Sequence, residues 1–123
     1  MADDSAIKRL IRSAFGSIWS IELLLVLKQR PDHFWTRAEL IATLRASEEV
    51  LARSSADLRT AGLILVDEEQ RVRFGPASPE LEEAVEAVAS LYARRPAAVR
   101  RLIVGGDDAI VNFADAFRFR RGD

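Results

Sequence analysis

The sequence predicts a mainly α-helical single domain that carries one β-hairpin. Three observations lead there. Apolar residues recur at helical spacing along most of the chain, and capping residues stand ahead of several of those runs. Two short runs rich in β-branched residues, "LILVD" and "RVRF", sit together in the middle, separated by polar residues. At 123 residues and 49% hydrophobic, the chain holds enough apolar material for one core and is too short for two independent ones.

Between Ser5 and Phe15, the residues Ile7, Leu10, Ile11, Ala14 and Phe15 fall on one helix face, with Lys8, Arg9 and Arg12 elsewhere. Gly16 interrupts this amphipathic helix. From Ser17 the line "SIWSIELLLVLKQRP" is apolar on nearly every side, which a helix tolerates only when other elements surround it. It is read as the central helix, stopped by Pro31. A loop is expected at Asp32 to Trp35, and then Thr36 to Glu39 spells T-x-x-E, a capping box in which two orphan amides are satisfied reciprocally. The short helix Arg37 to Leu44 buries Leu40, Ile41 and Leu44. After a turn at Arg45 to Ser47, Ser47 caps the next helix, whose first turn carries Glu48 and Glu49 where the dipole favours negative charge. That helix buries Leu51, Ser54, Ser55 and Leu58, and Gly62 suits its left-handed end.

The hairpin turns at Glu68-Glu69-Gln70 and closes at Gly75-Pro76, without the Asn-Gly or Asp-Gly signal of the tightest turns. Ser78-Pro79-Glu80 is a helix start, and the helix runs to about Arg95, burying Leu81, Val85, Val88, Ala89 and Tyr92. Pro96 opens another, with Val99, Leu102 and Ile103 inward and Arg100 and Arg101 outward, until Gly105-Gly106. Asp107 or Asp108 caps a last helix containing Ile110, Val111, Phe113, Ala114 and Phe117, ahead of the tail "RFRRGD".

Composition removes several function classes. No window approaches the roughly 18 uncharged apolar residues of a membrane span, and the longest, Ile18 to Leu27, contains Glu22. The N-terminus has acids where a signal peptide needs bases, so a cytoplasmic location without membrane partners is expected. Absence of cysteine excludes disulfides, thiolate metal sites and thiol catalysis. His33 is the one histidine, so it has no second histidine or cysteine with which to build a zinc site, and no catalytic or nucleotide-binding motif occurs. Neither an enzyme nor a cofactor is expected. Net charge is −1, but seven arginines stand against four aspartates from residue 94 onward, while residues 80 to 93 carry four glutamates and no base.

The order of parts, carried by Thr36 to Glu39, the turn at Arg45 to Ser47 and "DLRTAGLILVDEEQRVRF", resembles a winged helix-turn-helix with the layout of MarR- and ArsR-type bacterial regulators. The resemblance covers about residues 17 to 76, with residues 1 to 16 as an N-terminal helix and 77 to 123 as a helical extension. It implies a DNA-binding transcriptional regulator whose recognition helix, Glu48 to Ala61, enters the major groove of double-stranded DNA. If Leu51, Ser54, Ser55 and Leu58 face inward, the groove-facing positions are Glu48, Glu49, Ala52, Arg53, Ala56 and Asp57. Candidate phosphate donors are Arg37, Arg45, Arg53, Arg59, Arg71 and Arg73, because duplex binding needs several cations to release counterions. Asp67, Glu68 and Glu69 stand near the wing tip, where such regulators usually place basic residues.

Each candidate also has an ordinary reading: Glu48 and Glu49 as dipole compensation, Arg53 as a solvated or salt-bridged arginine, Arg71 and Arg73 as an exposed strand face. The layout further implies a homodimer through terminal helices, with Ile7, Leu10, Phe113, Phe117 and Phe119 at the seam. The C-terminal phenylalanines equally suit a helix docked on its own domain. The alternative function, from a different class, is a module that binds another protein through the acidic wing or the C-terminal helices.

Overall fold

α2 (Ile18–Gln29), expected to be surrounded on every side, is covered on one broad side: Ser20, Ile21, Leu23, Leu24 and Leu27 are buried, while Ile18, Leu25 and Val26 are half-buried and Trp19 is 38% exposed. In the computed structural model, which describes residues 4–105, Ile21, Leu23 and Leu27 are completely buried. The other elements are α1 (Asp4–Ala14), α3 (Arg37–Leu44), α4 (Glu48–Thr60), the two-stranded antiparallel hairpin β1 (Ile64–Val66) and β2 (Val72–Phe74), α5 (Pro79–Arg94) and α6 (96–105); of these, α3, α4 and β2 pack directly on α2. The architecture is mainly helical with one small sheet. A single apolar cluster runs from Ile7 on α1 to Leu102 on α6.

Local chemistry accounts for the boundaries. Thr36 Oγ1 accepts from the Glu39 amide at 3.1 Å while Glu39 Oε1 accepts from the Thr36 amide at 2.8 Å, completing the expected capping box. Ser47 and Ser78 cap α4 and α5 by accepting from the amides three residues on. Gly62 ends α4 at a φ of +78°, and the Leu63 amide donates back to Leu58 O while the Gly62 amide donates to Arg59 O. This pair of bonds satisfies carbonyls that the helix end would otherwise leave open.

Three expectations are corrected. Asp57, placed outward by helical spacing, is half-buried: its Oδ2 accepts a 2.9 Å hydrogen bond from Ser20 Oγ of α2. It lies three residues after buried Ser54 and beside buried Leu58, so it falls on the edge of the buried stripe, and a Cβ on Gly16 would come within 2.7 Å of its carboxylate. Ser55, expected inside, is only half-buried, because the stripe is centred on Leu51, Ser54 and Leu58. Trp35, read as loop, pairs with Val72 through two hydrogen bonds of 2.7 and 2.9 Å, adding a one-residue rung to the hairpin. A single rung has no periodicity for a sequence to display.

The residues named for a seam between copies are placed only in part. Ile7 and Leu10 are only 6% and 3% exposed within one chain, where α1 packs on α5, so their apolar surface is already covered. The expected last helix, with Phe113, Phe117 and Phe119, lies outside the described residues. No single helix among the described residues is long and apolar enough to cross a membrane; α1 and α2 together reach that length but meet at a bend of 107°.

The Ser20–Asp57 bond ties the central helix to α4, and removing the donor leaves a half-buried carboxylate short of a partner. Ser20→Ala is expected to cost about 1–3 kcal/mol of unfolding free energy in urea titrations. Leu58→Ala, which opens a void at a fully buried site, is expected to cost about 2–5 kcal/mol in the same measurement.

Candidate nucleic-acid interface

The surface begins at the junction of α3 and α4. Arg45 adopts the left-handed conformation, φ 56° and ψ 40°, and its amide donates to Ile41 O at 2.8 Å, so the chain turns sharply after α3. Ala46 tucks into the interior and Ser47 starts α4 at once. Because the buried stripe of α4 is Leu51, Ser54 and Leu58, its other side presents Glu48, Glu49, Ala52, Arg53, Ala56 and Arg59, all exposed. The middle of that face is small, with two alanines one turn apart, and its margins are charged.

Between α3, α4 and the hairpin lies a cleft of about 230 Å³. Leu40, Leu51, Val66 and Val72 supply its apolar lining, Ala52, Ser55 and Ala56 its small residues, and Arg37, Arg59 and Gln70 its polar groups. Within the described residues, neither Arg37 nor Arg59 makes an ion pair or a side-chain hydrogen bond, and Arg45, also exposed, makes none. Arg53 is different: its Nη2 lies 2.7 Å from Glu49 Oε1 one turn earlier. Both groups are more than 70% exposed, so the pair is solvent-screened and easily opened.

The hairpin arginines are engaged elsewhere. Val66 and Val72 line the cleft, so strand alternation turns Arg71 and Arg73 to the opposite face. There Arg71 Nε sits 2.8 Å from Asp67 Oδ2 and 3.5 Å from Glu69 Oε2, while Arg73 Nε donates to Pro31 O at 3.0 Å and its Nη2 lies 3.4 Å from Asp32 Oδ1. Both guanidiniums also stand over Phe34, at 5.6 and 5.7 Å from its ring centroid. Phe34 and Asp32, which organise this cluster, carry no spacing signal; only the excess of acids beside Arg71 hinted at the pairing.

Asp67 is the knot of the turn. Its Oδ1 accepts from the amides of Glu69 and Arg71, and its Oδ2 from the Arg71 guanidinium. Gln70 takes a positive φ of 65° to close the loop. Partial desolvation pushes the Asp67 carboxyl up, but the Arg71 amide and guanidinium outweigh it and hold the group below its ordinary range. The same pairing holds the Arg71 guanidinium above its usual value. Glu39 is also held low, chiefly by the Thr36 amide, with desolvation opposing and His33, 3.3 Å from Oε2, assisting.

Of the sequence-derived candidates, Arg37, Glu48, Glu49, Ala52, Arg53, Ala56 and Arg59 share the α3–α4 side, and Arg45 stands at the turn between the two helices. Arg71 and Arg73 do not join them. Among the described residues no three His, Asp or Glu side chains converge as metal ligands.

Carboxylates held low in the folded state stabilise it at neutral pH. That contribution is fully present above their unfolded pKa and is lost as pH falls through the lower folded value. Thermal melts are therefore expected to show a loss of stability between about pH 5 and pH 3 that is smaller in Glu39→Gln and Asp67→Asn than in the parent chain.

No family model matches the chain, and neither a curated protein nor a solved structure matches it.

Proposed function

We propose that this chain is a winged helix-turn-helix regulator that binds double-stranded DNA through the outer face of α4, as a homodimer. The observation that carries the reading is the junction itself: two capped helices meet at a sharp turn, and the second leaves one whole face uncovered. On that face Ala52 and Ala56 allow close approach to base edges, while Arg53 and the flanking Arg37, Arg45 and Arg59 reach toward guanine or phosphate. Glu48 and Glu49 compensate the helix dipole and remain able to accept from cytosine.

The hairpin has a lesser part in this reading than regulators of the type usually give it. Arg71 and Arg73 are spent on Asp67, Glu69, Asp32 and Phe34, on the strand face away from α4. The same observation favours a second reading, a protein-interaction module on this scaffold, in which the acid-tipped hairpin meets another protein. In this reading the copies meet through their terminal helices, Phe113 and Phe117 among the contacts.

Fluorescence anisotropy with a random duplex across a salt series separates the two. The DNA reading predicts affinity that falls steeply with salt, a log–log slope reduced by about 1 per phosphate contact in Arg37→Ala, Arg45→Ala or Arg59→Ala, and little change in Arg71→Ala. Absence of binding at low salt would leave the interaction module as the surviving reading. Sedimentation equilibrium of the full chain is expected to give a dimer mass that moves toward the monomer in Phe113→Ser/Phe117→Ser; an unchanged mass would place the seam elsewhere.

A further inference from the structure

The cleft between α3, α4 and the hairpin has a character that a DNA duplex does not match. Its floor is formed by Leu40, Leu51, Val66 and Val72, of which Leu40, Leu51 and Val72 are almost wholly buried, and its rim by the polar Arg37, Ser55, Arg59 and Gln70, whereas the only apolar group a base edge brings to the major groove is the thymine methyl. A hollow of about 230 Å³ is also below the roughly 300–1,000 Å³ of pockets that enclose a drug-sized molecule. It is of a size for one inserted apolar side chain. Its cations, Arg37 and Arg59, are exposed and make no ion pair or side-chain hydrogen bond within the described residues.

We propose that this cleft docks an acidic peptide segment of a partner protein, one large apolar side chain filling the hollow and flanking carboxylates pairing with Arg37 and Arg59. The apolar insertion contributes the anchoring, because burying such a side chain removes it from water at a site already lined by hydrocarbon. The arginines contribute selection: guanidiniums pair with carboxylates in bidentate geometry and reject a basic or neutral flank. The neighbouring residues fit this division. Ala52 and Ala56 keep the entrance open, and Gln70 offers an amide able to bond the backbone of an extended segment. A segment seated there would cover Arg37, Ala52, Ala56 and Arg59, four of the proposed duplex contacts, and exclude DNA. That consequence rests on the DNA reading; the docking itself does not.

The test uses the full chain and three fluorescein-labelled decapeptides read by anisotropy at low salt: an acidic peptide with one central phenylalanine, the same peptide with alanine there, and one with lysines replacing the acids. The acidic phenylalanine peptide is expected to bind at least about tenfold more tightly than either of the others. Arg37→Glu/Arg59→Glu and the cleft-filling Ala52→Leu/Ala56→Leu should each weaken it by a similar factor. Arg94→Ala/Arg101→Ala, which removes as many arginines away from the cleft, should not. Circular dichroism melts of each variant verify folding, and the leucine pair lies on an exposed helix face that tolerates it. Undetectable binding, equal binding of the phenylalanine and alanine peptides, or displacement of the peptide by equimolar phenylacetate would each overturn the proposal. Duplex affinity is measured separately on the unliganded chain, so loss of peptide binding with duplex binding intact refutes only the docking.

Discussion

The burial of one broad side of α2 is the constraint on which the rest of the molecule depends. Ser20, Ile21, Leu23, Leu24 and Leu27 are withdrawn from water because α3, α4 and the hairpin pack on that side, while Trp19 stays exposed. Once α4 commits Leu51, Ser54 and Leu58 to that contact, its opposite face is presented to solvent as a geometric consequence. The Ser20–Asp57 bond and the close approach at Gly16 set how far α4 can rotate about its own axis. The exposed surface is therefore positioned by the core, and its composition is free to serve recognition.

The charges of that surface are organised by proximity and not by number. Arginine and acid are nearly balanced along the middle of the chain, yet the outcome differs from residue to residue. On the hairpin, a tight turn brings Asp67 within reach of the Arg71 amide and guanidinium, and Pro31 and Asp32 meet Arg73. On α4, the i, i+4 spacing places Glu49 beside Arg53 in open solvent, where the pair is weak. Arg37, Arg45 and Arg59 have no acid at either kind of spacing that reaches them, and within the described residues they stay unpaired. A surface of near-zero net charge thus contains a local cationic margin beside an apolar hollow.

The apolar residues of the hairpin have a double use. Val72 pairs with Trp35 across one edge of β2, and its side chain helps line the cleft. Trp35 in turn meets His33 edge-on at 4.9 Å and lies under Arg30, which holds the loop after α2 against the sheet. The stretch between α2 and α3 is thereby tied to the hairpin, and the capping box at Thr36 begins α3 from that fixed point.

Helix positions, caps and the hairpin were legible in the sequence because each depends on residues within a few positions of one another: Thr36 with Glu39, Ser47 with Val50, Ser78 with Leu81, Gly62 with the end of α4. The buried stripe of α4 was legible to within one residue, its edge being misread at Ser55 and Asp57 because helical spacing alone does not say where a neighbouring helix lies. What only the tertiary structure decided is pairing across distance: Trp35 with Val72, Ser20 with Asp57, Phe34 and Asp32 with the hairpin arginines, and α1 against α5. Those contacts follow from how elements stack on one another, and stacking is a property of the assembled core that no local window of sequence contains.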